Sequence, residues 1–308
     1  MLHIIYRDYF ISNYIFEGIK DESLHFIRVP ILTLNLFQRC IFYLERKLKV
    51  NLYPRNRFNR EVIKEISKID CQDSILFFDF ALYIDLLFVK KRVNTNSLKL
   101  WLWNPLPNDL RNASTLEELK KIGISIYTFD ILNARNFQIN LLNQVYKKVE
   151  KDNFSEIEYD FFFIGIDKGR IDKLVFLANE FKVRGYTFKF MVYPNTVKAF
   201  PCIEYLDKLM SCEEVVESSK KARVIVELVQ ENQSGMTLRV LEGLFLGKKI
   251  LTDNLFIKKS ELYNPMNIFI LGESSWEGLE EFIESEFVEY EHGVLSKYMF
   301  DVWIDNFK

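Results

Sequence analysis

Apolar positions along the chain fall into short runs of strand length separated by longer stretches of helical spacing. In the first half the strand-length runs are residues 25–29, 74–80, 98–103 and 124–129, with a first strand at 3–6. Helical spacing fills 31–49 and 60–69, and in the second of these Val62, Ile63, Ile66 and Ile69 share one face. Ser114-Thr-Leu-Glu117 reads as a capping box that opens a short helix ahead of Ile124. The second half is more sharply punctuated. The run 160–166 (DFFFIGI) breaks at Gly165 and the turn Asp167-Lys-Gly-Arg170, and a helix follows with Leu174, Leu177, Ala178 and Phe181 on one stripe. A strand at 188–193 stops at Pro194, and Ser211-Cys-Glu-Glu214 caps a helix reaching about Lys220. Strands at 222–229, 249–252 and 267–271 alternate with helices at 236–246 and 276–286. Strands and helices in strict alternation with short connections predict parallel sheets covered on both faces, a doubly wound α/β chain.

Length divides this picture in two, because 308 residues exceed the size at which one core stops growing, about 250–300. The polar stretch 147–158 (KKVEKDNFSEIE) is the expected boundary. It gives a first domain over 1–150, a second over 151–285, and a last segment, 286–308, that crosses back to the first. With 49% hydrophobic and 27% charged residues the chain is expected to be globular and not disordered. Arg7, Asp8, Glu17 and Lys20 interrupt the start, and no apolar run approaches spanning length, so neither a secretory signal nor a membrane-spanning helix is expected. Cys40, Cys71, Cys202 and Cys212 are scattered without a CxxC pair, which predicts neither a zinc site nor a disulfide framework and fits a reduced, cytoplasmic compartment. Residues 1–150 hold 22 Lys and Arg against 16 Asp and Glu, and the remainder 19 against 27, so the halves are expected to face different neighbours. A net charge of -2 and the lack of a recognition motif disfavour nucleic acid as a partner.

Two loops at strand ends carry candidate chemistry. In Gly165-Ile-Asp-Lys-Gly-Arg170 the glycine would let backbone amides approach an anion, the helix start would offer unpaired N–H groups, and Lys168 and Arg170 would add charge. An ordinary polar turn between strand and helix fits the same residues. The second loop follows residue 229 and leads through Gln233, Ser234, Gly235, Met236, Thr237 and Arg239 to Glu242. Arg239 and Glu242 are three apart and line one helix face, either as a surface pair or toward a diphosphate and the hydroxyls of a ribose.

These residues resemble a family. The stretch SGMTLRVLEGLFLGKKILTDN (234–254), with YNPMNIFIL (263–271), FFFIGIDKGR (161–170) and YTFDILNARNFQIN (127–140), is similar to the donor half of GT-B glycosyltransferases that build bacterial capsular polysaccharide, O-antigen and lipopolysaccharide core. The shared pattern G-x-T-x-R-x-x-E-x-L-x-x-G-K-K runs from Gly235 to Lys249, and the strand order extends the likeness over most of 125–271. The resemblance implies two Rossmann-like domains facing across a cleft, with a nucleotide-sugar held mainly by the second. It implies that Glu242 takes the ribose hydroxyls, that Gln233, Ser234, Gly235, Met236 and Thr237 border the diphosphate, and that Arg239, Lys168 and Arg170 offset its charge. The loop at Tyr193, Pro194 and Asn195 would lie near the nucleobase. Such enzymes need no metal or other cofactor, because cationic side chains and a helix N-terminus stabilise the departing diphosphate. Many retaining members carry a second glutamate eight positions earlier, which would fall at Ser234 here; its absence tilts the expectation toward inversion of the anomeric centre.

Inversion needs a general base, usually from the first domain. Asp79, at the end of SILFF, is the first candidate and Asp8 the second, although aspartate is also an ordinary turn residue at such places. His3, His25 and His292 stand alone and are expected to be packing residues. The segment 46–60 interleaves Arg46, Lys47, Lys49, Arg55, Arg57 and Arg60 with Leu52, Tyr53 and Phe58. It is either a solvated loop or a patch that holds the protein at anionic headgroups, where a lipid-linked acceptor resides on the cytoplasmic face. The leading expectation is therefore transfer of a sugar from a nucleotide-diphosphate donor to a lipid-linked or growing surface polysaccharide. A nucleotide-sugar epimerase and a non-catalytic nucleotide-binding protein on the same architecture are the alternatives.

Overall fold

The computed structural model describes every residue except 32, 54–56, 81, 107–109, 111–112, 152–155, 194–198, 232, 273–275 and 292, and the side chain of 113. Pro194, Asn195, Arg55 and His292 thus lie outside the described residues. The chain forms two compact units, one of 1–143 together with 304–308, the other of 144–303. The second unit begins ahead of the polar stretch at 147–158. The terminal five residues belong to the first, where Lys99 Nζ donates to the Phe307 carbonyl and the Phe307 ring meets Tyr127 edge-on at 5.2 Å.

Among the described residues the first unit holds β1 (Leu2–Arg7), β2 (Leu24–Val29), β3 (Ser74–Phe78), β4 (Ser97–Leu102), β5 (Ile124–Thr128) and β6 (Asn140–Leu141). They lie in the order β2-β1-β3-β4-β5-β6, and all neighbours are parallel. The second unit holds β7 (Tyr159–Ile166), β8 (Phe188–Tyr193), β9 (Glu204–Tyr205), β10 (Ala222–Glu227), β11 (Lys249–Thr252) and β12 (Ile268–Ile270), in the order β12-β11-β10-β7-β8-β9, again all parallel. Parallel strands bury both faces, which is why β3 (SILFF) and β7 (YDFFFIGI) read as nearly unbroken apolar runs.

Helices between the strands supply the second layer. Helix Ile171–Val183 buries the Leu174, Leu177, Ala178 and Phe181 stripe against β7, with the Phe161 and Phe181 rings stacked at 3.8 Å. Ser211 caps Cys212–Lys220 in a full capping box with Glu214. In the first unit Val62 and Ile66 face the core from Arg60–Ile66. Helix Leu238–Phe245 packs tightly on its sheet: a Cβ on Gly243 would stand 2.5 Å from Ile250 Cδ1 and 3.2 Å from Ile225 Cγ1, so a larger residue there would force these side chains to shift.

Several boundaries differ from the pattern for identifiable reasons. The helix expected over 31–49 spans Leu36–Leu48, because Asn35 and Gln38 form a capping box that starts it. The helix expected at 236 starts at Leu238, since Thr237 is its cap and accepts from the Arg239 amide. Ser114 lies inside Ala113–Lys121 and does not precede that helix.

Candidate nucleotide site

Strand order selects one place in each sheet. In the second unit β7 lies between β10 and β8, and successive strands run outward in opposite directions on its two sides. The crevice beyond the carboxyl ends of β7 and β10 is therefore the switch point at which open α/β sheets take ligands. Both loops singled out in the sequence, after Ile166 and after Glu227, start there. In the first unit the corresponding pair is β1 and β3, whose ends lead directly into Asp8 and Asp79.

The loop after β7 departs from expectation. Asp167 is buried, and its Oδ1 accepts from the amides of Gly169, Arg170 and Ile171 at 3.1, 3.0 and 3.2 Å. A carboxylate of the chain itself thus fills the helix start that was expected to offer unpaired N–H groups to an anion. Arg170 also turns inward. It donates to the carbonyls of Asp167 (3.1 Å), Leu228 (2.9 Å) and Ile166, and lies over the Phe163 ring. Gly165 makes room for it, because a Cβ there would stand 3.2 Å from the guanidinium. Gly165 and Arg170 therefore brace the β7 and β10 ends together. Lys168 is the cation left outward. It sits at φ 44° on the surface of the loop, and partial desolvation of its ammonium and the nearby Arg170 charge hold it below the usual lysine value.

The loop after β10 is organised by two buried carboxyls. Glu227 accepts from the Thr237 amide (2.6 Å) and the Thr252 hydroxyl (2.6 Å), and burial pushes its pKa up to about 7. The Asn254 amide nitrogen donates to the Ser234 carbonyl at 3.2 Å, and Gln233 Nε2 to the Gly235 carbonyl at 3.0 Å, which ties 233–235 to the segment after β11. Glu242 is fully buried. Its Oε1 accepts from Arg239 Nη1 (2.5 Å) and Ser219 Oγ (2.8 Å), and its Oε2 from Tyr146 Oη (2.8 Å). The carboxylate expected to meet ribose is thus engaged by three side chains of its own unit. Met236, Thr237 and Arg239 are half-buried at the rim, as is Tyr193 at the end of β8.

Sequence reasoning missed Glu227, Ser219, Tyr146 and Asn254. For Glu227 a signal existed, the same one that marked Asp79: a carboxylate directly at the end of an apolar strand. Its buried proton has a measurable consequence. The folded state holds that proton longer than the unfolded chain, so its contribution to stability falls as pH rises from the ordinary value of 4.5 to about 7 and is constant above. Glu227→Gln should remove this dependence. In urea unfolding the stability of the variant relative to the natural chain should rise by roughly 3 kcal/mol from acid to neutral pH. A gap independent of pH would contradict the assignment.

The two carboxylates of the first unit differ from one another. Asp79 follows β3 at φ 49°, a left-handed conformation that a non-glycine residue keeps only when its surroundings enforce it. Its Oδ1 accepts from the Trp103 amide (3.0 Å) and its Oδ2 from Asn104 (3.2 Å), while burial raises its pKa to about 6. Asp8 pairs with Arg28 (2.5 Å) and Asn13 (2.8 Å), which hold its carboxyl below the usual range. A base with a pKa near 6 is ionised at neutral pH yet still takes a proton; a depressed one is poorer at it. His3 bridges Asp73 (2.9 Å) and His25 (3.0 Å), an internal arrangement at the other end of the sheet. In the basic segment, Arg57 and Phe58 are buried and do not belong to an outward patch, and Lys49 pairs with Glu118 at 3.0 Å.

No protein-family model matches this chain, and no curated protein matches it by sequence. Solved structures do. A UDP-forming α,α-trehalose-phosphate synthase from Burkholderia vietnamiensis superposes with a TM-score of 0.59 at 10% identity, covering 99% of this chain and 98% of that one. A UDP-forming synthase of the same kind from Burkholderia xenovorans gives 0.58 at 12%, covering 99% and 97%. An α-glucosyltransferase solved with UDP-glucose and DNA containing an abasic site gives 0.52 at 11%, covering 92% and 88%. At such identities the likeness is one of fold. The chain has the two-sheet α/β fold of the GT-B class.

Proposed function

We propose that this protein is a glycosyltransferase that takes a sugar from a nucleotide-diphosphate donor and passes it to a lipid-linked or growing surface polysaccharide. The observation that carries the reading is the switch point of the second sheet, where the exposed Lys168 and the Gly235–Met236–Thr237 turn stand at the ends of β7 and β10. The full-length likeness to structures described as UDP-forming or as bound to UDP-glucose supports it. In this reading the diphosphate lies against the turn 235–237, and Lys168 neutralises part of its charge as the bond to the sugar breaks. Cationic side chains take that role without a metal or further cofactor. Tyr193 borders the base. Arg170, Arg239 and Glu242 act as positioning residues, the first bracing the two loops and the other two fixing the helix behind them. Asp79 accepts the proton of the acceptor hydroxyl, which gives inversion at the anomeric carbon; Asp8, already paired, is the lesser candidate. The acceptor would be reached at an anionic membrane surface.

A thermal-shift panel of UDP, GDP, CMP and dTDP tests the reading. One nucleotide should raise the melting temperature by several degrees, since about 2.7 kcal/mol accrues when ligand exceeds its Kd a hundredfold. Lys168→Ala should weaken that nucleotide about tenfold without changing the melting point of the free protein, as expected for one charged contact of roughly 1.5 kcal/mol. No response to any of the four would count against the proposal.

A further inference from the structure

Helix Leu36–Leu48 is oriented against its own composition. Its one acidic residue, Glu45, is fully buried, while Leu36, Phe37, Tyr43, Leu44 and Leu48 are 80, 73, 64, 45 and 60% exposed. A network of buried charges fixes this orientation. Glu45 accepts from Arg57 Nη1 and from the Tyr53 amide (2.8 Å). Arg57 donates onward to Asp85 Oδ1 (2.5 Å) and Asn51 Oδ1 (2.7 Å), and Arg7 donates to the second Asp85 oxygen. Rolling the leucines inward would withdraw Glu45 and leave the Arg57 charge buried with part of its pairing lost, which interiors do not tolerate. The apolar face is therefore held outward by the core beneath it. Ile31 ahead of the helix and Leu52 and Tyr53 after it are exposed as well, at 55, 59 and 45%.

The charges on that face have one sign. At 100° per residue the five exposed apolar side chains and Lys47 fall within one arc, and Arg39 and Arg46 border it. The helix carries no carboxylate other than the buried Glu45. An apolar stripe with a cationic border matches a bilayer surface, where leucine and aromatic side chains enter the acyl boundary and arginine and lysine remain at the phosphates. A second copy of this chain docking face to face would instead bring Arg39, Arg46 and Lys47 against their like. We propose that the outward face of helix Leu36–Leu48 is a membrane-contact surface for bilayers containing anionic lipid. This rests on exposure and charge alone. It gives the membrane surface named in the proposed function a specific place, and it is tested separately from donor binding.

Flotation with phosphatidylcholine vesicles, with and without phosphatidylglycerol, reads the surface directly. The protein should float with the anionic vesicles and be released as salt rises. Phe37→Ser/Leu44→Ser/Leu48→Ser and, separately, Arg39→Gln/Lys47→Gln should each lower retention by about tenfold or more. Both should keep the melting temperature and the UDP affinity of the natural chain, so that loss of the surface is told apart from loss of the donor site. Cys40 lies exposed on the same arc. In a Cys71→Ser/Cys202→Ser background, an environment-sensitive dye on Cys40 should shift its emission to the blue with anionic vesicles only. Unchanged flotation of the serine variant, or a dye that stays in water, would overturn the proposal. So would a natural chain that ignores vesicles but sediments as a dimer which the serine substitutions dissociate, because the occupant would then be a second copy.

Discussion

Asp79→Asn will lower turnover by a factor of about 100 to 10,000, the usual contribution of a general base, and leave nucleotide affinity within about twofold. The expectation follows from three observations. The residue directly follows a central strand of the first sheet, its backbone is held at φ 49°, and burial has moved its pKa to about 6 against the hydrogen bonds from Trp103 and Asn104. Asparagine keeps the shape and can still accept from the Trp103 amide, so the fold should survive. The pH profile of the natural chain should show the same group: kcat/KM should fall about tenfold per pH unit below about 6, as the carboxylate takes up its proton. An Asp8→Asn variant should lose far less. Initial rates with a radiolabelled donor across that range would settle the assignment, and full activity in Asp79→Asn would remove Asp79 from the mechanism.

The second large effect is on stability. Glu242→Ala should cost about 3–5 kcal/mol and lower the melting temperature by roughly 10 °C, because it strips a buried acceptor from Arg239, Ser219 and Tyr146 at once. If Glu242 took the ribose hydroxyls, as the family resemblance implies, this substitution would weaken donor binding and spare the fold. The structure changes that expectation, since the carboxylate ties helix Leu238–Phe245 to Ser219 and to Tyr146 near the start of the second unit. Glu242→Gln, which keeps the side-chain shape and loses the charge, should fall between the two. Calorimetric melting of both variants tests this, and an alanine variant as stable as the natural chain would show that the network is not holding the helix.

Local signals made much of the fold legible. The apolar runs gave β7, β8 and β11 almost residue for residue, the Ser211–Glu214 box gave the start of its helix, and the alternation of elements gave two parallel sheets. The short edges β6 and β9 were not visible, because two residues carry no periodicity. The sites were legible as places and not as contacts. Both loops do lie at the switch point of the second sheet. Their anion-binding appearance misleads in part because the charges are answered from within: Asp167 caps its own helix, and Arg170 spends its guanidinium on carbonyls. Such partners are set by packing and leave no spacing to read. Helix Leu36–Leu48 makes the same point, since its buried residue is a glutamate whose partner, Arg57, lies beyond the helix and read as part of a surface patch.

A crystal structure of the protein with a bound UDP-sugar would test the central reading most directly. The diphosphate should lie at residues 235–237 with Lys168 within ion-pair distance, beyond the ends of β7 and β10. A nucleotide lodged anywhere else, for instance at the ends of β1 and β3 in the first unit, would contradict it.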